Sequence, residues 1–184
     1  MKKRSAGILA WRRRPDGPEV FLVHPGGPFW KNKDDGAWSI PKGEIDPDEE
    51  PLSAAQREFQ EETGLQIGGT FTPLSPVKIA SGKVIEAWAI EHEFDASAIV
   101  SNTFEIEWPP RSGKKQAFPE VDRAAWLPGP LAIQKINKGQ VPLLVQLLKK
   151  LGVTLPAPPP AAPKRPPARS GTGARRTAAP KRTR

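Results

Sequence analysis

PKGEIDPDEEPLSAAQREFQEETGL, residues 41–65, crowds carboxylates around a single arginine, Arg57, and places Glu58, Glu61 and Glu62 within five positions. Pro51 suits the first turn of a helix and Gly64 the position just past its end, so the segment predicts a helix over residues 51–63. With Leu52 at the origin of the helical wheel, Ala55 and Phe59 fall within about 60° of it and form the stripe to be buried. Glu61, Glu58 and Glu62 occupy an adjoining arc of about 100°.

Side chains three and four apart on a helix lie about 5–6 Å from each other at Cβ, so the three carboxylates repel one another unless something cationic compensates. Two readings compete on the residues alone. One is a solvated acidic face. The other is a cation site, and hard oxygen ligands with no His or Cys beside them favour Mg²⁺ or Mn²⁺ over zinc. A solvated face interleaves lysines at helical spacing, yet no lysine lies between Gly43 and Val77. Arg57 is placed to pair with Glu49 and brace the preceding loop against the helix.

Outward from this segment, SAGILAWR (5–12) and EVFLVH (19–24) predict a β-hairpin joined by RPDG. A Gly-, Pro- and Lys-rich loop follows over 25–36, then a short strand at AWSI (37–40). Beyond the acidic segment, FTPLSPVKIA, KVIEAWAIEHEF, NTFEIEW and AAWL carry strand patterns. GPLAIQKI and VPLLVQLLKKLG predict helices, with Pro130 and Pro142 in their first turns and Gly152 as a stop. The expected class is α+β, a mixed sheet with helices on its faces.

The chain has 184 residues, no cysteine and a net charge of +8. Its length suits one domain, and the lack of cysteine excludes disulfides, thiolate zinc sites and thiol nucleophiles. The basic start leads into an apolar run of only about six residues, too short for a secretory core of about 7–15 or a membrane span of about 20. A soluble, cytoplasmic protein is expected. Eight basic residues and no acid lie in 155–184, which leaves residues 1–154 with 20 charges of each sign. The division expected is therefore a domain over 1–154 and a disordered basic Pro/Ala/Arg-rich tail over 155–184. The tail serves as a solubilising extension or as a weak, salt-sensitive arm for nucleic acid.

Gly43, five residues, Glu49, seven residues, then Arg57-Glu58-Phe59-Gln60-Glu61-Glu62-Thr63-Gly64-Leu65 resembles the Nudix box, with every fixed position filled. The resemblance extends loosely over about residues 4–150 and implies a Nudix-type mixed β-sheet sandwiched between helices. It implies a pyrophosphohydrolase that splits a diphosphate bond in a nucleoside diphosphate linked to another group, with Mg²⁺ or Mn²⁺ held by Glu58, Glu61, Glu62 and the Gly43 carbonyl. Arg57 and Glu49 form the brace, and Glu49 or Glu61 helps orient water. The general base is a box glutamate or a carboxylate from a later loop, of which Glu120 is the best placed. Lys42 is a candidate phosphate contact, and His24 and His92 read as structural. With no tyrosine in the chain, base stacking falls to Trp30, Trp38, Trp88 and Trp108, with the loop-borne Trp30 first.

The flank WSIPKG resembles that of dinucleoside polyphosphate and diphosphoinositol polyphosphate hydrolases, while oxidised-nucleotide hydrolases share the box. Two marks of other members are absent. Positions 81–83 are Ser-Gly-Lys where a common tetraphosphate-hydrolase type has tyrosine, and position 80 is alanine where ADP-ribose enzymes have proline. A non-catalytic Nudix module is the rival within the fold; such modules lose box carboxylates, and none is lost here. The expected partner is a small phosphoanhydride, with no membrane.

Overall fold

The computed structural model of the chain describes residues 4–153. The basic tail expected over 155–184 lies outside these residues. The elements in chain order are β1 (Arg4–Arg12), β2 (Glu19–Pro25), β3 (Lys42–Glu44), α1 (Pro51–Thr63), β4 (Thr72–Pro73), β5 (Val77–Lys78) and β6 (Val84–Glu91). They continue as β7 (Thr103–Glu107), β8 (Lys115–Pro119), β9 (Val121–Pro128), α2 (Gly129–Lys135) and α3 (Val141–Lys150).

β1 organises the sheet. It pairs antiparallel with β2 and β3 and parallel with β6, in the spatial order β4-β6-β1-β2-β9. Every residue from Ser5 to Trp11 is buried, which is why SAGILAWR reads as an almost unbroken apolar run. Successive side chains still alternate in direction. Ala6, Ile8 and Ala10 pack with Phe21 and with Ala54, Ala55 and Phe59 of α1. Leu9 and Trp11 join the second core with Ala132 and Ile136 of α2 and its following residue and Leu143, Leu144 and Leu147 of α3. The mixed sheet is thus covered by helices on both faces, as expected.

Several details differ from the sequence expectations. AWSI is not a strand: Ser39 and Trp38 make only isolated bridges, to Val23 and Ile136, and the pairing with β1 is taken by β3 instead. The Ile40 N–H is satisfied by a side chain, the buried Gln140 Oε1 at 3.1 Å. FTPLSPVKIA divides into the two-residue strands β4 and β5, since Pro73 and Pro76 withhold backbone donors. NTFEIEW forms β7, whose partner β8 was not foreseen because KQAFP has no apolar alternation.

Gln140→Ala should leave the Ile40 N–H and the Ser39 hydroxyl without their buried partner. The expected cost is about 1–3 kcal/mol, measured by urea denaturation, with the native far-ultraviolet spectrum retained.

Candidate active site

α1 begins and ends as its sequence requires. The Glu50 carboxylate accepts from the N–H groups of Leu52 (2.8 Å) and Ser53 (3.0 Å), and Gly64 closes the helix in the left-handed conformation with φ of 72°. Ala54, Ala55, Phe59 and Thr63 face the core. That orientation turns Arg57, Glu58, Glu61 and Glu62 toward β3 and the loop before α1.

Arg57 is the hub. Its Nε and Nη2 donate to the two carboxylate oxygens of Glu49, each at 2.9 Å. Nη2 also donates to the Glu44 carbonyl at 3.0 Å, and Nη1 donates to Glu58 at 2.8 Å and, more loosely, to Glu61 at 3.4 Å. One guanidinium therefore joins β3, the loop and the helix. Glu49, held mainly by this hydrogen-bonded pair, has its pKa lowered to about 2.

Glu58 lies flush against Gly43. A Cβ added to Gly43 would stand 1.9–2.2 Å from the Glu58 carboxylate atoms, so only glycine leaves room for this contact. Burial pushes the Glu58 carboxyl up; Arg57 opposes that shift, and the charges of Glu61 and Glu120 add to it. Glu62 accepts from the Lys42 N–H at 3.2 Å. Its pKa is pushed up to about 7, chiefly by burial, with Lys42 lowering it and Glu58 and Glu120 raising it. Glu120, some sixty residues away in sequence, is thus brought to the box glutamates. Its N–H donates to the Asn102 carbonyl at 2.8 Å, its carbonyl accepts from Gly26 at 2.9 Å, and Asn102 N–H donates to the Glu61 carbonyl at 2.9 Å.

Among the described residues no three acidic or histidine side chains converge on one point as a ready-made metal cage. The donor set nonetheless fits a hard divalent cation: clustered carboxylates, no thiolate, and two partly buried carboxyls whose pKa values are raised by desolvation first and by their acidic neighbours second. Besides Arg57, Lys42 is a second cation whose charge acts on Glu62. The chemistry available is electrostatic, an acidic pocket able to hold a metal and so reverse its own field toward a phosphate.

Trp38 departs from the sequence expectation, whereas Trp30 is only partly covered. Trp38 is only 7% exposed, within the core, with its indole N–H donated to Asp34 at 2.7 Å, so it offers no face to a substrate. Trp30 is partly buried against the same core and carries the Lys33 ammonium 4.6 Å over its ring. The exposed aromatic of that loop is Phe29, 61% accessible, which the sequence reading passed over. His24 was read as structural and is fully buried, with Nδ1 2.8 Å from Asp122 and Nε2 2.7 Å from the Lys33 carbonyl. Both partners are acceptors, so both bonds form together only when both ring nitrogens carry hydrogen. The ring latches the loop to β9 two residues beyond Glu120.

A family model described as the NUDIX domain matches residues 1–146. The chain belongs to the NUDIX domain family. Among solved structures, the NUDIX domain of Shewanella oneidensis NrtR complexed with ADP ribose is 19% identical, covering 82% of this chain and 89% of that one with a TM-score of 0.58. A C. elegans Ap4A hydrolase in a binary complex is 21% identical over 82% of this chain and 98% of that one, TM-score 0.54. The C-terminal domain of mouse MUTYH, complexed with human PCNA, is 14% identical over 84% and 92%, TM-score 0.53. At these identities the likeness speaks for the Nudix fold. A comparison with curated proteins finds no match. Membership of this family makes the chain a pyrophosphohydrolase, and no helix among the described residues is long and apolar enough to cross a membrane.

Two substitutions test the site's construction. Gly43→Ala should displace the Glu58 carboxylate, a flexible group, and so leave stability within about 1 kcal/mol while lowering turnover at least about tenfold. Glu49→Gln should cost about 1–2 kcal/mol at neutral pH. Because the folded pKa of Glu49 lies below its ordinary value of 4.5, its contribution is present above about pH 4.5 and fades as the pH falls toward 2. Denaturation midpoints of wild type and Glu49→Gln should therefore converge across that window.

Proposed function

We propose that this Nudix enzyme hydrolyses a phosphoanhydride bond in a nucleoside or dinucleoside polyphosphate, with Mg²⁺ or Mn²⁺ held by Glu58, Glu61, Glu62 and the Gly43 carbonyl. The observation that carries this reading is the crowding of Glu58, Glu62 and Glu120, whose mutual repulsion and burial a bound divalent cation would offset. When bound, such an ion neutralises the diphosphate and lowers the pKa of attacking water.

The protein's own residues supply position and proton transfer. Arg57 and Glu49 fix the loop against α1, and Gly43 leaves space for the Glu58 carboxylate. Lys42 contacts a phosphate oxygen. Glu120 accepts the proton as water oxygen bonds to phosphorus and the bridging P–O bond breaks, with the leaving phosphate carrying away the bridge oxygen. An Ap4A hydrolase and a NUDIX domain complexed with ADP ribose among structures of this fold support a nucleotide-linked diphosphate. Ala80 and the tyrosine-free stretch 81–83 speak against the commonest ADP-ribose and bacterial tetraphosphate patterns. The absence of cysteine supports a reducing, cytoplasmic setting.

Glu61→Gln should slow turnover at least about a hundredfold, roughly 2.7 kcal/mol of transition-state stabilisation, in a phosphate-release assay with Mg²⁺ or Mn²⁺. A panel of nucleoside diphosphate derivatives, dinucleoside polyphosphates and diphosphoinositols identifies the substrate. Near-normal turnover of the variant on the best substrate would remove Glu61 from the site.

A further inference from the structure

β7 and β8 form a two-stranded sheet apart from the main one, and the loop after β2 runs along it. At its base the hairpin is fixed to the catalytic region through the Glu120–Asn102 and Asn102–Glu61 backbone bonds. Gly26 approaches so closely that an added Cβ would stand 2.0 Å from the Pro119 carbonyl oxygen, and a Cβ on Gly27 would stand 3.1 Å from the Phe104 ring. Farther out, Phe29 meets Trp108 edge to face, with ring centroids 5.5 Å apart. Phe104 and Ile106 are the partly buried residues of β7, its other residues are exposed, and the partly buried Trp108 follows it directly. The loop thus follows the hairpin from the catalytic end to an aromatic pair whose Phe29 is exposed.

Three cations lie near that pair along the chain. Lys31 lies two residues from Phe29, and Arg111 and Lys114 belong to the turn joining β7 to β8. All three are exposed, and among the described residues none has a carboxylate partner, whereas the arginines of β1 and its following turn are paired with Glu19, Glu86, Glu91 and Glu93. An aromatic surface with unpaired cations beside it matches a nucleoside phosphate, base on ring and phosphates on ammonium and guanidinium. A phosphorylated inositol has nothing for the ring.

Reach then selects the kind of nucleotide. Six residues of extended chain separate Asn102 from Trp108, about 20 Å at roughly 3.3 Å per residue. A molecule cleaved at the box and touching Phe29 must therefore be long. We propose that Phe29 and Trp108 hold the distal base of a dinucleoside polyphosphate, with Lys31, Arg111 and Lys114 along its phosphate bridge. The placement of the bridge rests on the hydrolytic reading above.

Calorimetric titration of the full chain with Mg²⁺ and two uncleavable, methylene-bridged probes tests this: diadenosine tetraphosphate and adenosine tetraphosphate. Wild type should bind the dinucleoside about tenfold tighter than the mononucleoside, the scale of one stacked base. Phe29→Ala, at an exposed position, should abolish this preference and leave mononucleoside binding unchanged, while Phe29→Tyr restores it. Equal affinity of wild type for the two probes, a preference that survives in Phe29→Ala, or equal weakening of both probes would overturn the proposal. Phe29-dependent preference in a protein that cleaves no phosphoanhydride would overturn the hydrolytic reading instead and keep the aromatic site.

Discussion

One guanidinium in the midst of carboxylates is the constraint on which the rest of the site depends. Arg57 meets Glu49 with two parallel hydrogen bonds, and it also reaches Glu58 and the Glu44 carbonyl. A lysine has one charged nitrogen and no fork, so it makes neither the bidentate pair nor the bridge to three separate partners in fixed directions. Through this one side chain, β3 and the loop before α1 are set against the helix. Gly43 then comes to rest on Glu58, and Lys42 presents its N–H to Glu62. The acidic ridge is not balanced by this cation alone, since Glu58 and Glu62 still have raised pKa values. That residual imbalance is what a bound divalent cation would offset under the reading proposed above.

The parts of the fold written in local pattern were legible. α1 was bounded by Pro51 and Gly64, and the Arg57–Glu49 pair was expected from a lone arginine among carboxylates. Strands β1, β2 and β6 and helices α2 and α3 followed from long apolar runs. What escaped depended on partners far along the chain. Trp38 was expected on a short strand beside the box with a face for a base, yet the bridge to Ile136 and the Asp34 carboxylate draw it into the core. AWSI lost its strand because Gln140, a hundred residues on, satisfies Ile40. β8 is exposed on most positions and so needs no apolar stripe, which removes the signal that announces a strand. Phe29 was hidden for the opposite reason, since a phenylalanine in a loop gives no local sign of whether it is covered.

The sheet and the hairpin serve the site in different ways. The sheet, packed on both faces, provides a rigid floor to which α1 is fastened by Phe59 and two alanines. The hairpin of β7 and β8 touches that floor through few backbone bonds, and those bonds lie beside Glu61 and Glu120. The box carboxylates lie on the firmer unit and Glu120 on the seam where the two join.

The parallel pairing of β1 with β6 also bears on how the chain acquires its shape. β1 spans Arg4–Arg12 and its parallel neighbour spans Val84–Glu91, so the central strand lacks one flank until about half of the polypeptide has left the ribosome. Contacts of such wide sequence separation are slow to form because a long loop must close first. The hairpin of β1 and β2 is available early, but α1 packs on a surface to which the late strand contributes. A nascent chain ending before residue 84 would hold every box carboxylate and still have no completed floor beneath them.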